Sequence, residues 1–388
     1  MPRLKLQRLR SAVCAAAAAI LLAACGSGET DPGTVRFALT DAPACGFDQV
    51  NLSIERIRVN RNADASENSL GWTDLKLAPA RRIDLLKLGN GVLEELGELQ
   101  LPAGRYAQLR LVLAAKGETT PANSVLPTGG EETVLDIASI EAGGIRVVHA
   151  FSVEQDKVTD VLFDFDACRS VARAGDDGYV LRPEVKAVPR NGATITGYVD
   201  PTAAGVTVSA QKAGVQARAT VADANGRFVI AFLDPAASPY DVVFTAGGHA
   251  TAVVVAVPVS ATAGAELSRI DSPIALPSAT DRTVDGVVGP AAARSTAAVR
   301  ARQVVGAAGE VEIARANVNA ASGSYTLSLP GAQARLATFS GRLPLSFSAA
   351  GNAGRYVLDA TADGYASQEQ AVDLTGSSQT WNVTLSRR

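Results

Sequence analysis

Residues 50–60 read "VNLSIERIRVN" and carry apolar side chains at alternate positions, with one interruption. Two runs share this spacing, from Val50 to Ile54 and from Ile57 to Val59, and they are offset by one residue. Side chains alternate between the two faces of a β-strand, and one extra residue in a strand produces a bulge. The stretch therefore predicts a half-buried strand with a bulge near its centre.

The same alternation recurs along the chain, with turn-rich pieces such as "LPAG" and "PTGGEE" between the alternating stretches. The clearest further examples are "TVRFALTDAP" (34–43), "RYAQLRLVL" (105–113), "GIRVVHAFSV" (144–153) and "VTDVLFDFDA" (158–167). Short strands at regular spacing indicate an all-β sandwich or barrel. We therefore expect an all-β protein with a sandwich or barrel-like N-terminal domain.

Composition excludes several classes of function. Removing residues 1–24 would leave 32 Lys and Arg against 39 Asp and Glu, which is mildly acidic and argues against a nucleic-acid partner. The chain has two His, no paired CxxC motifs, no phosphate-binding loop and no G-x-S-x-G motif. We expect no cofactor and no enzymatic activity.

The N-terminus has the pattern of an export signal. "MPRLKLQRLR" is basic, and an uncharged alanine-rich run follows it up to "LAAC", residues 22–25. These four residues resemble the lipobox of bacterial lipoproteins. The resemblance implies cleavage of residues 1–24, a diacylglyceryl group on Cys25, a flexible tether over 25–33 and a cell-envelope location. Residue 26 is Gly rather than Asp, which by resemblance to enterobacterial lipoprotein sorting argues against retention in the inner membrane and implies the outer membrane. The alternative is an ordinary cleaved signal in which Cys25 has no role.

Two cysteines remain if Cys14 is removed with the signal and Cys25 is lipidated. In an oxidising compartment the simplest inference is a Cys45–Cys168 disulfide. Two separate free thiols are the alternative, because a sequence does not give the distance between the two residues.

Residues 34–188 resemble a known family. "FALTDAPACGFDQVNLSIERIRV", "LPAGRYAQLRLVL", "VLFDFDACRSV" and "GYVLRPEVKAV" occur in the order found in the bacterial lipoprotein family called domain of unknown function 4382. The family has no assigned activity, so the resemblance implies a fold and a location but no reaction.

Two further units are predicted at 189–278 and 279–388. "ATITGYVDPTAAGVTVSAQ", "TVADANGRFVIAFLDP" and "SPYDVVFTAGGHATAVV" resemble the carboxypeptidase regulatory-like, transthyretin-type β-sandwich. A degenerate second copy follows, with an insertion at 333–351. The resemblance implies two small Greek-key-type sandwiches. The expected equivalences are Gly197 with Gly286, Gly226 with Gly323, Tyr240 with Tyr356, and Gly248 with Gly364.

One acidic cluster could bind a metal ion. Asp164 and Asp166 would share one face of a strand while Phe163 and Phe165 fill the other, and the proposed disulfide would bring Asp41 near them. Three carboxylates could hold Ca²⁺. The alternative is a solvated strand face on which Asp41 caps its own turn. Paired carboxylates could also serve a glycosidase, which their separation would decide.

The two tryptophans have different surroundings. Trp381 alternates with Val383 and Leu385, which predicts a core position. Trp72 lies among loop residues and could stack on a sugar ring, or pack at a sheet edge.

The sequence thus favours a non-enzymatic, lipid-anchored envelope protein with a binding or structural role. Its expected partners are the membrane, through Cys25, and a glycan or another envelope protein. A carbohydrate-binding lipoprotein is the alternative, and a glycoside-type hydrolase is a further one.

Overall fold

The structure, a computed structural model, describes residues 31–41, 46–115, 121–138, 140 and 143–388, without the side chain of Asp41. Strands dominate these residues, which confirms the predicted all-β fold. The described ranges contain one α-helix, α1 (Ala167–Ser170), and short 3-10 turns at Leu85–Leu88, Pro235–Ala237, Ala291–Ala293 and Gly306–Ala308. Within them, no helix has the length and apolar character needed to cross a bilayer.

The first unit packs two sheets around one core. Its strands are β1 (Pro32–Asp41), β2 (Phe47–Asn60), β3 (Thr73–Asp84), β4 (Glu94–Pro102), β5 (Gly104–Leu113), β6 (Ser124–Pro127), β7 (Thr133–Asp136), β8 (Ile145–Val153), β9 (Val158–Phe165), β10 (Val171–Ala174), β11 (Gly178–Leu181) and β12 (Val185–Val188). The smaller sheet has the order β12-β9-β1-β4. The larger sheet has the order β10-β11-β7-β6-β2-β5-β8, with β3 also paired to β2.

The bulge predicted in β2 is present. The register of β2 shifts between Ile54 and Arg56 in its pairing with both β3 and β5. This shift brings the second apolar run back to the inner face, so that the apolar side chains on both sides of the bulge are buried in one core.

The second and third units have the same connectivity. The second has β13 (Ala193–Tyr198), β14 (Thr207–Lys212), β15 (Val215–Val221), β16 (Arg227–Leu233), β17 (Tyr240–Thr245), β18 (Ala252–Val257) and β19 (Ala265–Glu266). The third has β20 (Asp281–Gly289), β21 (Ala298–Val304), β22 (Glu310–Asn317), β23 (Ser324–Pro330), β24 (Ala334–Thr338), β25 (Ser348–Ala350), β26 (Arg355–Thr361), β27 (Gln368–Asp373), β28 (Gln379–Thr380) and β29 (Val383–Thr384).

Their sheets correspond strand by strand. The orders β16-β13-β19 and β15-β14-β17-β18 of the second unit correspond to β23-β20-β28 and β22-β21-β26-β27 of the third. The expected residue equivalences hold: Gly226 and Gly323 both adopt positive φ, at 77° and 83°, in the turn before an equivalent strand. Tyr240 and Tyr356 each donate a hydroxyl hydrogen bond to a backbone carbonyl.

The predicted insertion, residues 333–351, forms an arm that leaves the third unit and joins the second. Within it, β24 pairs in parallel with β18, and β25 pairs with β24. Phe339, Leu345 and Phe347 of the arm pack against the core of the second unit. The larger sheet of the second unit thus gains two strands from its neighbour.

The larger sheet of the second unit is also buried on both faces. Val242 and Val254 belong to the core of the second unit, whereas Val243 and Val253 pack into the core of the third. The third unit therefore covers the outer face of this sheet.

Candidate functional site: the junction of the three units

Asp164 lies at the junction of the first and second units. Its neighbours Phe163 and Phe165 fill the core of the first unit, as predicted. On the opposite face, Asp164 forms a buried ion pair with Arg218 of β15. Burial raises the pKa of the Asp164 carboxyl, and the Arg218 guanidinium opposes that rise. The alternative prediction of a solvated strand face is wrong for Asp164, because the second unit covers this side of the strand.

Asp166 is the N-cap of α1. Its side chain accepts hydrogen bonds from the Arg169 backbone N–H at 3.0 Å and from the Gln216 amide at 3.1 Å. Burial raises the pKa of Asp166, and the charge of Arg169 opposes that rise. Asp is preferred at helix N-caps because its oxygen satisfies free N–H groups of the first turn. Here the same side chain also binds the second unit.

The predicted calcium site includes a residue that the structure describes only in part. Strand β1 runs parallel to β9 and places Asp41 opposite Phe165, close in register to Asp164 and Asp166, but the Asp41 side chain lies outside the described residues. Among the side chains that are described, no group of three His, Cys, Asp or Glu is placed to hold a metal ion. A Ca²⁺ site that includes Asp41 stays a prediction.

Glu312 of β22 connects the third unit to the other two. Its carboxylate, only 7% exposed, pairs with Arg169 of the first unit. Its backbone is paired by Gln211 of the second unit, whose amide donates to the Glu312 carbonyl at 2.7 Å and accepts from the Glu312 N–H at 2.9 Å. Since β22 is an edge strand, the Gln211 side chain takes the place of a neighbouring strand.

Asn90 satisfies two other sheet edges in the same manner. It lies in the loop before β4 of the first unit, and its amide donates to the Val221 carbonyl and accepts from the Val229 N–H, both at 2.9 Å. These two residues belong to the edge strands β15 and β16. Asn90 therefore joins the open edges of both sheets of the second unit to the first.

Asn317 and Asn319 join the third unit to the first. Asn317 donates to the carbonyls of Arg169 and Val171, at 2.8 and 3.0 Å, where α1 ends. Asn319 accepts from the Gly175 N–H and donates to the Gly175 carbonyl, at 3.1 and 2.8 Å. Each pair of units is thus connected by side-chain amides that bond to backbone groups.

A cleft of about 210 Å³ lies where the three units meet. Its charged and amide lining residues are Asp166, Arg169, Gln216, Glu312, Arg315 and Asn317. The carboxylates of Asp166 and Glu312 both face Arg169, and Arg315 pairs with Glu184. Because these charges compensate one another, the arrangement serves chiefly to hold the units together.

Trp72 packs on the outer side of the larger sheet of the first unit. Its indole N–H donates to the Ser66 carbonyl at 2.8 Å, and the guanidinium groups of Arg58 and Arg110 lie 4.8 and 5.4 Å from the ring centroid. The glycan-binding role of Trp72 stays a prediction. Trp381 packs against the core of the third unit, as predicted.

The structure describes only one of the three cysteines that the predictions involve. Cys168, at the start of α1, is disulfide-bonded. Cys45 and Cys25 both lie outside the described residues. The Cys45–Cys168 pairing and the lipidation of Cys25 therefore stay predictions.

Residues 32–183 match the family model described as domain of unknown function DUF4382. The family predicted for the first unit is thereby confirmed. No curated protein matches the chain.

Several solved structures are similar to this chain. A type II cohesin–X-dockerin complex from Acetivibrio cellulolyticus is 31% identical over 23% of this chain and 59% of its own, with a TM-score of 0.19. The TIE protein of Bacillus anthracis is 11% identical over 92% of this chain and 51% of its own, with a TM-score of 0.18. BcpA, the major pilin subunit of Bacillus cereus, is 12% identical over 92% and 100%, with a TM-score of 0.16. This chain spans less than two thirds of the length of the first two structures. At these TM-scores, no property of the three proteins is assigned to this chain.

The junction residues Arg218, Gln211, Asn90 and Glu312 have no signature in the sequence as binding groups. One available signal is the run "VLFDF" in β9, which has apolar residues on both faces of the strand and has all five residues buried. A strand of this kind is buried on both faces. It therefore needs a covering element beyond its own unit.

Replacing Gln211 by Ala is expected to lower the free energy of unfolding by at least about 2 kcal/mol. The substitution leaves the buried N–H and carbonyl of Glu312 without partners, at a cost of about 1–3 kcal/mol each. Chemical denaturation measures the change. Gln370→Ala, on the exposed strand β27, is the matched control and should change stability by less than about 0.5 kcal/mol. Equal effects of the two substitutions would contradict the role of Gln211.

Proposed function

We propose that this chain is a lipid-anchored, non-enzymatic protein of the bacterial cell envelope, located at the outer membrane, with a structural or binding role. The proposed anchor is Cys25. Its support is the basic leader, the short apolar run and the "LAAC" motif at residues 22–25. A single acyl chain binds a membrane only reversibly, whereas several chains anchor stably, so diacylglyceryl and N-acyl groups together would hold the protein.

The structural role is proposed on one observation. Every pair of units is joined by buried charges or by side-chain amides that pair with backbone groups, as Arg218, Gln211 and Asn317 illustrate. Such contacts fix the relative orientation of the units, because a buried polar group left without its partner is costly. In this proposal the three units form one scaffold that presents its surfaces at a fixed position above the membrane, to a glycan or another envelope protein.

The second and third units are proposed to be carboxypeptidase regulatory-like sandwiches. This assignment is supported by their shared connectivity and by the equivalent turn glycines and tyrosines. We also propose that Cys45 is the disulfide partner of Cys168, because the signal-region cysteines would be removed or lipidated.

Replacing Cys25 by Ser is expected to move the protein from the membrane fraction to the soluble periplasmic fraction, because no acyl chain can then be attached. Detergent partitioning measures the change, and mass spectrometry of the mature N-terminal peptide identifies the thioether-linked group. Cys14→Ser is the matched control, since Cys14 lies in the segment to be removed, and it should leave the partitioning unchanged. An unmodified mature peptide that begins elsewhere would refute the anchor.

A further inference from the structure

The strand directions of the first unit separate its contact with the second unit from the point where the chain enters. Strand β9 ends at the junction, where Asp164 pairs with Arg218. It begins at Val158, roughly 25 Å away, since eight strand residues rise about 3.3 Å each. Strand β1 runs parallel to β9 and places Thr34 opposite Val158. The chain that follows the proposed anchor therefore enters the first unit at the end opposite the junction.

The entering chain is fixed to its neighbours at this end. Pro32 pairs with Pro102, and the Gln155 amide donates to the Asp31 carboxylate at 2.8 Å. The Arg61 guanidinium donates to the Pro102 carbonyl at 3.4 Å, which places the start of the connection between β2 and β3 at the same end. We call this end of the first unit the tether end. It consists of residues 31–32 and the connections 61–72, 102–104 and 154–157.

The connection 61–72 is held against the outer face of the larger sheet. Side chains of the sheet donate to four of its backbone carbonyls, at 2.7 to 3.1 Å: Arg146 to Ala63, Arg110 to Ala65, Arg58 to Glu67, and Asn60 to Leu70. Ala65 is buried by this packing, at 3% exposure. The backbone of the connection therefore has a fixed position on the sheet.

Leu70 takes no part in that packing. It is 96% exposed, although its own carbonyl is held by Asn60. Val158, opposite the entering strand, is a second large apolar residue at the tether end and is 56% exposed. A single exposed apolar residue is ordinary on a soluble surface. Leu70 differs because it lies on a fixed loop at the end where the membrane anchor would be attached.

The length of the connecting chain limits how far this end can lie from the membrane. Asp31 follows Cys25 by six residues, which span at most roughly 22 Å when fully extended. A short linker holds the two sites that it joins at an effective concentration on the order of mM. A weak contact between the tether end and the bilayer is then sufficient to be populated.

The charges of the tether end favour an apolar contact over an electrostatic one. Arg61 and Lys157 lie in the same connections as Asp64 and Glu154, so neither sign dominates. Transfer of a leucine side chain from water to an apolar environment is favourable without any charge. The partner with this chemistry at this end is the lipid surface.

We propose that the tether end docks on the bilayer, with the Leu70 side chain inserted among the lipids. The second and third units then face away from the membrane, because they attach at the opposite end of the first unit. This inference rests on the proposed anchor at Cys25 and adds to it a second contact that sets the orientation of the scaffold.

The test uses the full lipidated chain in phosphatidylcholine vesicles that contain a nitroxide-labelled lipid. A thiol-reactive fluorophore is attached to Asn68→Cys, an exposed position two residues before Leu70. The nitroxide lipid is expected to quench this fluorophore. The same fluorophore on Ile270→Cys, a 70% exposed position of the second unit, should not be quenched.

A substitution at Leu70 tests the side chain itself. In the protein labelled at Asn68→Cys, Leu70→Ser should lower the ratio of quenched to unquenched fluorophore about tenfold, as expected for the loss of one buried leucine contact. Ile270→Ser is the matched control and should leave the ratio unchanged. Both positions are exposed, so neither substitution disturbs a core.

Flotation of the vesicles distinguishes failure of the docking from failure of the anchor. Protein that floats with the vesicles, but whose Asn68→Cys fluorophore is quenched no more than that of Ile270→Cys, would overturn the docking and leave the anchor in place. An unchanged ratio in Leu70→Ser would overturn the insertion of Leu70. Protein that does not float would refute the anchor, and the docking with it.

Discussion

Replacing Arg218 by Met is expected to lower the free energy of unfolding by about 3–5 kcal/mol. Arg218 and Asp164 are both buried, with side-chain exposures of 5% and 7%. Removal of one partner leaves the other as a buried charge without compensation, which costs far more than the net value of an intact pair. Met retains much of the aliphatic contact of Arg with its surroundings. The loss is therefore expected to come from the stranded Asp164 carboxylate.

A double substitution distinguishes this explanation from a simple loss of packing. Arg218→Met combined with Asp164→Leu removes both charges, and it should recover most of the stability lost in the single variant. Arg269→Met removes an exposed ion pair with Glu266 and should change stability by less than about 1 kcal/mol. Chemical denaturation gives all three values. If the double variant is no more stable than Arg218→Met, the stranded charge is not the cause.

The alternation of apolar residues was sufficient to predict strands such as β1, β2, β5, β8 and β9, the bulge in β2 and the packing of Trp381 against a core. It did not predict which outer faces meet another unit. Asp164 illustrates the reason: alternation assigns it to the face opposite Phe163, and only the docking of β15 decides whether that face is wet or buried. Local periodicity shows on which face of a strand a side chain lies. It does not show which element packs on that face, because that element comes from a distant part of the chain.

The sequence likewise predicted the arm as an insertion but did not predict which unit it joins. The equivalent strands β18 and β27 of the two units differ in a way that is consistent with the observed pairing. In β18, "AVVVAV" is apolar at both parities, whereas β27 reads "QEQAVD" and is mostly exposed. Charged residues on an edge strand oppose pairing with another strand. The arm pairs with the apolar strand β18, whereas the polar strand β27 stays at the edge of its sheet.

The arm is therefore expected to couple the second and third units, and its removal should separate their unfolding. The second unit offers the design, because its equivalent connection between β16 and β17 uses only residues 234–239. Replacing residues 331–354 by that six-residue connection should leave the core strands of the third unit in place. It removes β24 from the edge of β18, together with the contacts of Phe339 and Phe347 against the core of the second unit.

Two consequences follow, and each has its own measurement. Loss of β24 together with these aromatic contacts should lower the melting temperature of the second unit by about 10 °C or more, so that calorimetry resolves an additional transition. The uncovered apolar edge of β18 should also cause concentration-dependent association, which light scattering detects. Arg342→Ala, at an exposed position in the arm, should change neither property. A grafted variant that stays monomeric and melts as the parent does would show that the arm contributes nothing to coupling, because the edge of β18 would then be stable without a neighbouring strand.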